Sequence, residues 1–308
     1  YRAQGRGGKG RTGMTTKDGD FVEHLFVASA HSYVLVFTQS GRVFWIKVYD
    51  IPQAGPAAKD KAIVTLLKLE FTDDIATTSP VRDCAEHRYL VFATEKGTIK
   101  KTALSEYGNP RAGGIIAINL DEGDRLLSVK NTDGSKHLFL ATADGMSIRF
   151  PESDCRPMGR ATAGVRGISL RKGDRVIGME ALEKEGAILT AAERGVGKRT
   201  PIGEYREQGR CGLGVINLKV GTKTGPVVGI VQVQPGDQLI LITQEGMIIR
   251  TSVDGIREIG RSTQGVRLIN LEGDDRLVAI AKVLERDDDT DGLAELPPEE
   301  DDGQGTIE

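Results

Sequence analysis

Leu138-Phe139-Leu140-Ala141-Thr142-Ala143-Asp144-Gly145-Met146-Ser147-Ile148-Arg149 is the stretch on which the fold turns. An apolar run leads into an Asp-Gly dipeptide, and a second run ends in a cation. This is the signature of a β-hairpin whose glycine supplies the positive backbone angle of the turn. The same pattern recurs around Gly41, Gly97, Gly195 and Gly246, at intervals of 48 to 56 residues. The first runs, such as Val34 to Phe37 and Leu239 to Ile242, are apolar at successive positions. Such runs suit strands covered on both faces. Further punctuation at Gly123-Asp124-Arg125, Gly173-Asp174-Arg175, Gly236-Asp237-Gln238 and Gly273-Asp274-Asp275 marks additional turns. About four strands per unit correspond to one propeller blade, and radial repetition protects sheet edges.

The N-terminal stretch fits the same register. Tyr1-Arg2-Ala3-Gln4-Gly5-Arg6-Gly7-Gly8-Lys9-Gly10 aligns without gaps on Tyr205-Arg206-Glu207-Gln208-Gly209-Arg210-Cys211-Gly212-Leu213-Gly214, so the sequence opens inside a unit. The expected architecture is all-β and six-bladed, with the first blade partial and the blades spanning 1–284. Composition agrees: 39 glycines and 5% aromatics favour many short strands. There is no repeated Trp-Asp pair, and Trp45 is the only tryptophan.

The overall charge of -3 hides a division. Residues 285–308 hold 11 acidic residues against Arg286, a net of -10, which leaves 40 basic and 33 acidic residues in 1–284, a net of +7. The tail, with Asp287, Asp288, Asp289, Asp291, Glu299, Glu300, Asp301 and Asp302, reads as disordered. It is a candidate intramolecular competitor for whatever anion the body binds.

Repeated cations suggest a repeated anion. Lys101, Arg149, Arg199 and Arg250 each stand four positions beyond an anchoring glycine, with Lys100 or Lys198 beside two of them. Arg111, Arg160, Arg210 and Arg261 recur in the following loop, and Lys47 adds charge in the unit that starts at Gly41. Gln4-Gly5-Arg6-Gly7-Gly8-Lys9-Gly10-Arg11 adds three cations among four glycines, to which Arg2 is adjacent. Glycine lets backbone amides approach a phosphate, and the cations displace condensed counterions. Lys9 is followed by Gly10, so this is not a Walker P-loop. Strand-edge cations also discourage sheet aggregation, the competing reading of each one singly.

Catalysis is not expected of this chain. No H-E-x-x-H or G-x-S-x-G occurs, and the carboxylates cluster chiefly in the tail. Cys84, Cys155 and Cys211 form no C-x-x-C pair, and His24, His31, His87 and His137 lack metal-ligand spacing, so no metal is expected. The cysteines and the lack of a long apolar run point to a reducing, cytoplasmic setting without a membrane partner.

These residues resemble the DNA gyrase A C-terminal domain family. Gln4 to Gly10 resembles the gyrase-A box, Q-R-R-G-G-[RK]-G, with Gly5 in place of its first arginine. The resemblance continues through Asp20 to Ala28, Gly97 to Thr102, Arg149-Phe150, Gly164 to Gly167 and Gly195 to Thr200. It implies a six-bladed β-pinwheel with strands exchanged between blades and a basic perimeter that wraps duplex DNA with little regard to sequence. It also implies partners, the upstream cleavage region of gyrase A and the companion protein gyrase B, in a bacterial, nucleoid-associated enzyme. ATP and Mg would belong to that holoenzyme, with no cofactor in this domain. The alternatives are the related C-terminal domain of DNA topoisomerase IV and a propeller that binds an acidic protein partner.

Overall fold

The apolar runs pair as hairpins because their side chains leave water on both sides of each sheet. The computed structural model describes residues 11–12, 32–51, 73–81, 87–109, 111 and 113–283. In chain order the strands begin with β1 (Arg11–Thr12), β2 (Tyr33–Thr38), β3 (Arg42–Lys47), β4 (Ile75–Val81), β5 (Tyr89–Thr94), β6 (Thr98–Ala103) and β7 (Ile115–Ile116). Next come β8 (Leu126–Thr132), β9 (His137–Thr142), β10 (Met146–Pro151), β11 (Val165–Arg166), β12 (Val176–Leu182), β13 (Ala187–Ala192) and β14 (Val196–Pro201). The last are β15 (Val215–Ile216), β16 (Val227–Val233), β17 (Gln238–Thr243), β18 (Met247–Ser252), β19 (Val266–Arg267) and β20 (Leu277–Val283).

They form five antiparallel four-stranded blades, ordered β4-β2-β3-β7, β8-β5-β6-β11, β12-β9-β10-β15, β16-β13-β14-β19 and β20-β17-β18-β1. In each of the first four blades, the two-residue outer strand comes from the chain that follows the next blade's hairpin. Neighbouring blades are therefore stitched together by the chain itself. The expected partial first blade is not among these sheets of the described residues. Thr12 and Arg11 instead pair with Met247 and Ile248 as the outer strand of the fifth blade. A two-residue segment cannot make a blade alone, and the pairing removes an open edge from β18. The remainder of the expected partial unit, 1–10 and 13–31, lies outside the described residues.

Both faces of each hairpin are buried, as continuous apolar runs demand. Leu35, Phe37, Leu90, Phe92 and Tyr107 join the first and second blades, with Phe37 edge-on to Phe92 at 5.6 Å. Val91, Ile99, Leu140 and Phe150 join the second and third, and Phe139 meets Tyr205 edge-on at 4.8 Å between the third and fourth. Ala187, Leu189, Leu239 and Leu241 fill the next gap.

The turn motifs have separate duties. Asp124 Oδ1 accepts from the Lys96 amide (2.9 Å), Asp174 Oδ1 from that of Asp144 (3.0 Å) and Asp275 Oδ1 from that of Glu245 (3.0 Å). Each aspartate thus caps the hairpin turn one residue before an anchoring glycine. Gly145, at φ 80°, accepts from the amides of Asn217 (2.8 Å) and Leu218 (3.2 Å), and a Cβ there would lie 2.2 Å from Leu218 O. Positive φ and close approach both require glycine at this point.

Candidate nucleic-acid interface

Three of the four strand-end cations form joints between blades. Lys101 O accepts from the Met158 amide (2.8 Å), Arg149 O from the Gln208 amide (2.8 Å) and Arg199 O from the Ile259 amide (3.0 Å). The loop of each following unit therefore docks on the residue four past the glycine. The side chains of Lys101 and Arg149 turn to the same task, whereas that of Arg250 stays within its own blade. Lys101 is 4% exposed and pairs with fully buried Glu152 at 2.9 Å, its ammonium 4.4 Å above the Tyr89 ring. Arg149 Nη1 donates to Ile202 O and Tyr205 O, both at 3.2 Å. Arg199 is half-buried, and Arg250 donates through Nε to Gln238 Oε1.

Lys100 and Lys198 are more deeply enclosed, each 0% exposed. Lys100 Nζ donates to Ala117 O at 2.6 Å and to Arg160 O; Lys198 Nζ donates to Gly260 O at 2.6 Å and to Arg261 O. These lysines staple the loops that carry Arg160 and Arg261. Their ammonium groups face carbonyls and that of Lys101 faces Glu152, so Lys100, Lys101 and Lys198, expected on a basic rim, are buried in the joints between blades. The sequence could not reveal this, because a cation at an inward register looks the same as one at an edge.

Burial pulls the Lys100 pKa down to about 7 and that of Lys198 to about 8. Both lie below the usual lysine value, so between about pH 7 and 10 the unfolded chain binds more protons and stability rises with pH. Denaturant midpoints at constant salt are expected to rise from pH 7 to pH 9 in the wild-type chain. Lys100→Ile with Lys198→Ile should flatten the rise; an unchanged slope would contradict it. Isoleucine fits because Ile148 and Ile249 already hold this position in other blades.

The loop arginines occupy the perimeter. Arg160 Nη1 donates to Ile116 O, Arg210 Nη1 to Arg166 O and Arg261 Nη1 to Ile216 O, each at 2.9 Å, so each clamps the outer strand of the preceding blade. Arg210 also donates through Nε to Asp154 O at 2.9 Å. A guanidinium has five N–H donors, and these clamps spend one or two of them. The remaining donors are not spent on these clamps. Arg111 and Lys47 are exposed, Lys47 Nζ standing 5.4 Å from the Tyr49 ring centre.

Sequence reasoning passed over a second register. Arg156, Arg206 and Arg257 are exposed, and each directly follows a buried residue, Cys155, Tyr205 or Ile256. Arg166 and Arg267, the second residues of β11 and β19, are exposed as well. The signal was present in the alignment of Tyr1-Arg2 on Tyr205-Arg206. Of the expected N-terminal ligands, Arg11 has its backbone in β1. Arg2, Gln4, Gly5, Arg6, Gly7, Gly8, Lys9 and Gly10 lie outside the described residues. So do the acidic positions Asp287, Asp288, Asp289, Asp291, Glu299, Glu300, Asp301 and Asp302. Among the described residues, no group of three or more His, Cys, Asp or Glu is placed to hold a metal, and no helix is long and apolar enough to cross a membrane.

Comparison with known proteins places this perimeter in a family. The family model described as DNA gyrase C-terminal domain, beta-propeller, matches residues 1–29, 32–66, 88–133, 136–183, 187–234 and 237–283. DNA gyrase A of Salmonella typhimurium is 44% identical over 289 residues, covering 94% of this chain and 33% of that protein. DNA gyrase A of Halalkalibacterium halodurans is 50% identical over 302 residues, covering 98% of this chain and 36% of that protein. The chain thus spans about a third of the length of these relatives. A solved DNA gyrase A C-terminal domain superposes with a TM-score of 0.81 at 26% identity, covering 92% of this chain and 93% of that one. A solved C-terminal domain of DNA topoisomerase IV gives 0.75 at 28% identity, covering 82% and 80%. With six consecutive segments matched along a five-bladed array of exchanged strands, the chain belongs to the DNA gyrase C-terminal β-propeller family, the C-terminal domains of type II topoisomerases.

Proposed function

We propose that the domain binds, bends and wraps duplex DNA around its perimeter, so that an ATP-driven gyrase holoenzyme introduces negative supercoils. The observation that carries this reading is the recurrence of perimeter arginines in two registers, Arg156, Arg206 and Arg257 beside Arg160, Arg210 and Arg261. A ligand that meets equivalent guanidinium groups on successive blades repeats along its own length. The DNA backbone does so, and the described residues offer no α-helix for the major groove. The domain contributes no catalytic group in this reading. The cleavage region and gyrase B complete the enzyme in the bacterial cytoplasm. The acidic tail competes with DNA for the nearest blades, so removing Asp287 to Glu308 tightens binding at low salt.

Affinity for random-sequence duplex is expected to fall with salt at a log-log slope of roughly -5 to -9, if about six to ten phosphates are neutralised. A slope near zero, or preference for one short sequence, would overturn the reading. Ligating nicked plasmid in the presence of the domain measures the wrap itself as a shift in linking number. The likeness to a topoisomerase IV domain supports a second reading, in which DNA is presented without strong wrapping. In that case the slope persists and the linking-number shift is absent.

A further inference from the structure

The perimeter alternates between two kinds of blade. The outward second residue of the outer strand is Ile116 in the first blade, Arg166 in the second, Ile216 in the third and Arg267 in the fourth, and all four are exposed. The alternation reaches inward, because the residue three past the anchoring glycine is Phe44, Lys100, Ile148 and Lys198 in the same order. Among these four blades, those with a buried lysine staple carry an arginine post and those with an apolar filler an isoleucine post; the fifth blade, with Ile249 as filler, has Thr12 at the same register. Leu213, 55% exposed, stands three residues before Ile216 in the same segment and enlarges the apolar post of the third blade.

Single exposed apolar residues are ordinary on a soluble protein, and isoleucine suits a short strand. Strand propensity alone does not account for a site that reads isoleucine, arginine, isoleucine, arginine along the first four blades. Arg160 donates to the carbonyl of Ile116, and Arg261 to that of Ile216, both at 2.9 Å. Each apolar post is thus flanked by a guanidinium held at hydrogen-bond distance from its own backbone. An apolar side chain next to an arginine is the chemistry with which proteins enter a minor groove. The apolar group wedges against a base step, while the cation meets the enhanced negative potential of the narrowed groove.

We propose that Ile116 and Ile216 are wedges that press into the minor groove of the bound duplex at alternate blades, while Arg166 and Arg267 hold phosphates on the blades between. The electrostatic posts bind and the apolar posts set the bend. This inference rests on the DNA reading above, and its test separates the two. On a random-sequence duplex of roughly 150 base pairs, about one persistence length, end-to-end energy transfer reports bending and the salt slope reports phosphate contacts. Ile116→Ser with Ile216→Ser is expected to lower the bend by about half and to leave the slope within one unit, because no phosphate contact is lost. Arg166→Ala with Arg267→Ala should lower the slope by about 2. Ile116→Leu with Ile216→Leu restores a wedge of equal volume and should restore the bend. Wild-type bending in the serine variant, or no recovery in the leucine variant, would overturn the wedge assignment while leaving the wrap standing. A wild-type chain that binds DNA without bending it would instead remove the wrapping function on which both depend.

Discussion

Replacing Glu152 with alanine is expected to lower folding stability by about 3–5 kcal/mol, the range for removing one partner of a buried ion pair. Glu152 is 0% exposed and compensates Lys101 at 2.9 Å. Its carboxylate also accepts from Thr132 Oγ1 at 2.7 Å and from the Lys136 amide at 3.3 Å. The alanine variant leaves an ammonium enclosed beside Tyr89 with no counter-charge, and two donors without their acceptor. Urea midpoints check the loss. Lys101→Met with Glu152→Met removes both charges and retains volume, so it should recover most of the stability. Equal destabilisation by the single and double variants would show that packing around Glu152, not its charge, holds the joint. Lys101 lies in the second blade, and Glu152 follows β10 of the third. The pair thus reports how strongly adjacent blades depend on one another.

The hairpins and their period were legible because each anchoring glycine is demanded by backbone geometry at a fixed place. Gly41, Gly97, Gly145, Gly195 and Gly246 all have positive φ. Burial of both strand faces was legible from continuous runs such as Leu138 to Leu140. Strand exchange was not readable from those residues, because the outer strands are only two residues long and their partners lie in another unit. Six units were expected where the described residues show five blades, in which the first unit's described part is spent on the fifth blade. Among the cations, the periodicity was found but its meaning was split. Lys101 and Arg149 recur for the sake of the joint, Arg160 and Arg261 for the perimeter, and composition cannot separate the two. Burial can, and it turned the rim from the strand ends to the loops and the outer strands.

Changing Arg160, Arg210 and Arg261 together to alanine is expected to weaken duplex binding by roughly two orders of magnitude at 0.15 M salt, and to reduce the salt slope by about 3. Each phosphate contact contributes about 0.9 to the slope. Because the counterion term vanishes at 1 M salt, three contacts supply about 2 units of log affinity at 0.15 M. The clamps themselves are worth little to stability, since each is a hydrogen bond from a partly exposed side chain to a strand carbonyl. Thermal midpoints should therefore move far less than affinity. Lysine at the three positions separates charge from geometry. It keeps the slope, but a single ammonium cannot hold a strand carbonyl and a phosphate in the fixed fork that a guanidinium offers. The lysine variant should thus bind with near wild-type salt dependence and a smaller linking-number shift. If the alanine variant kept the wild-type slope, these guanidinium groups would be clamps alone. The phosphates would then have to be met by Arg156, Arg206 and Arg257.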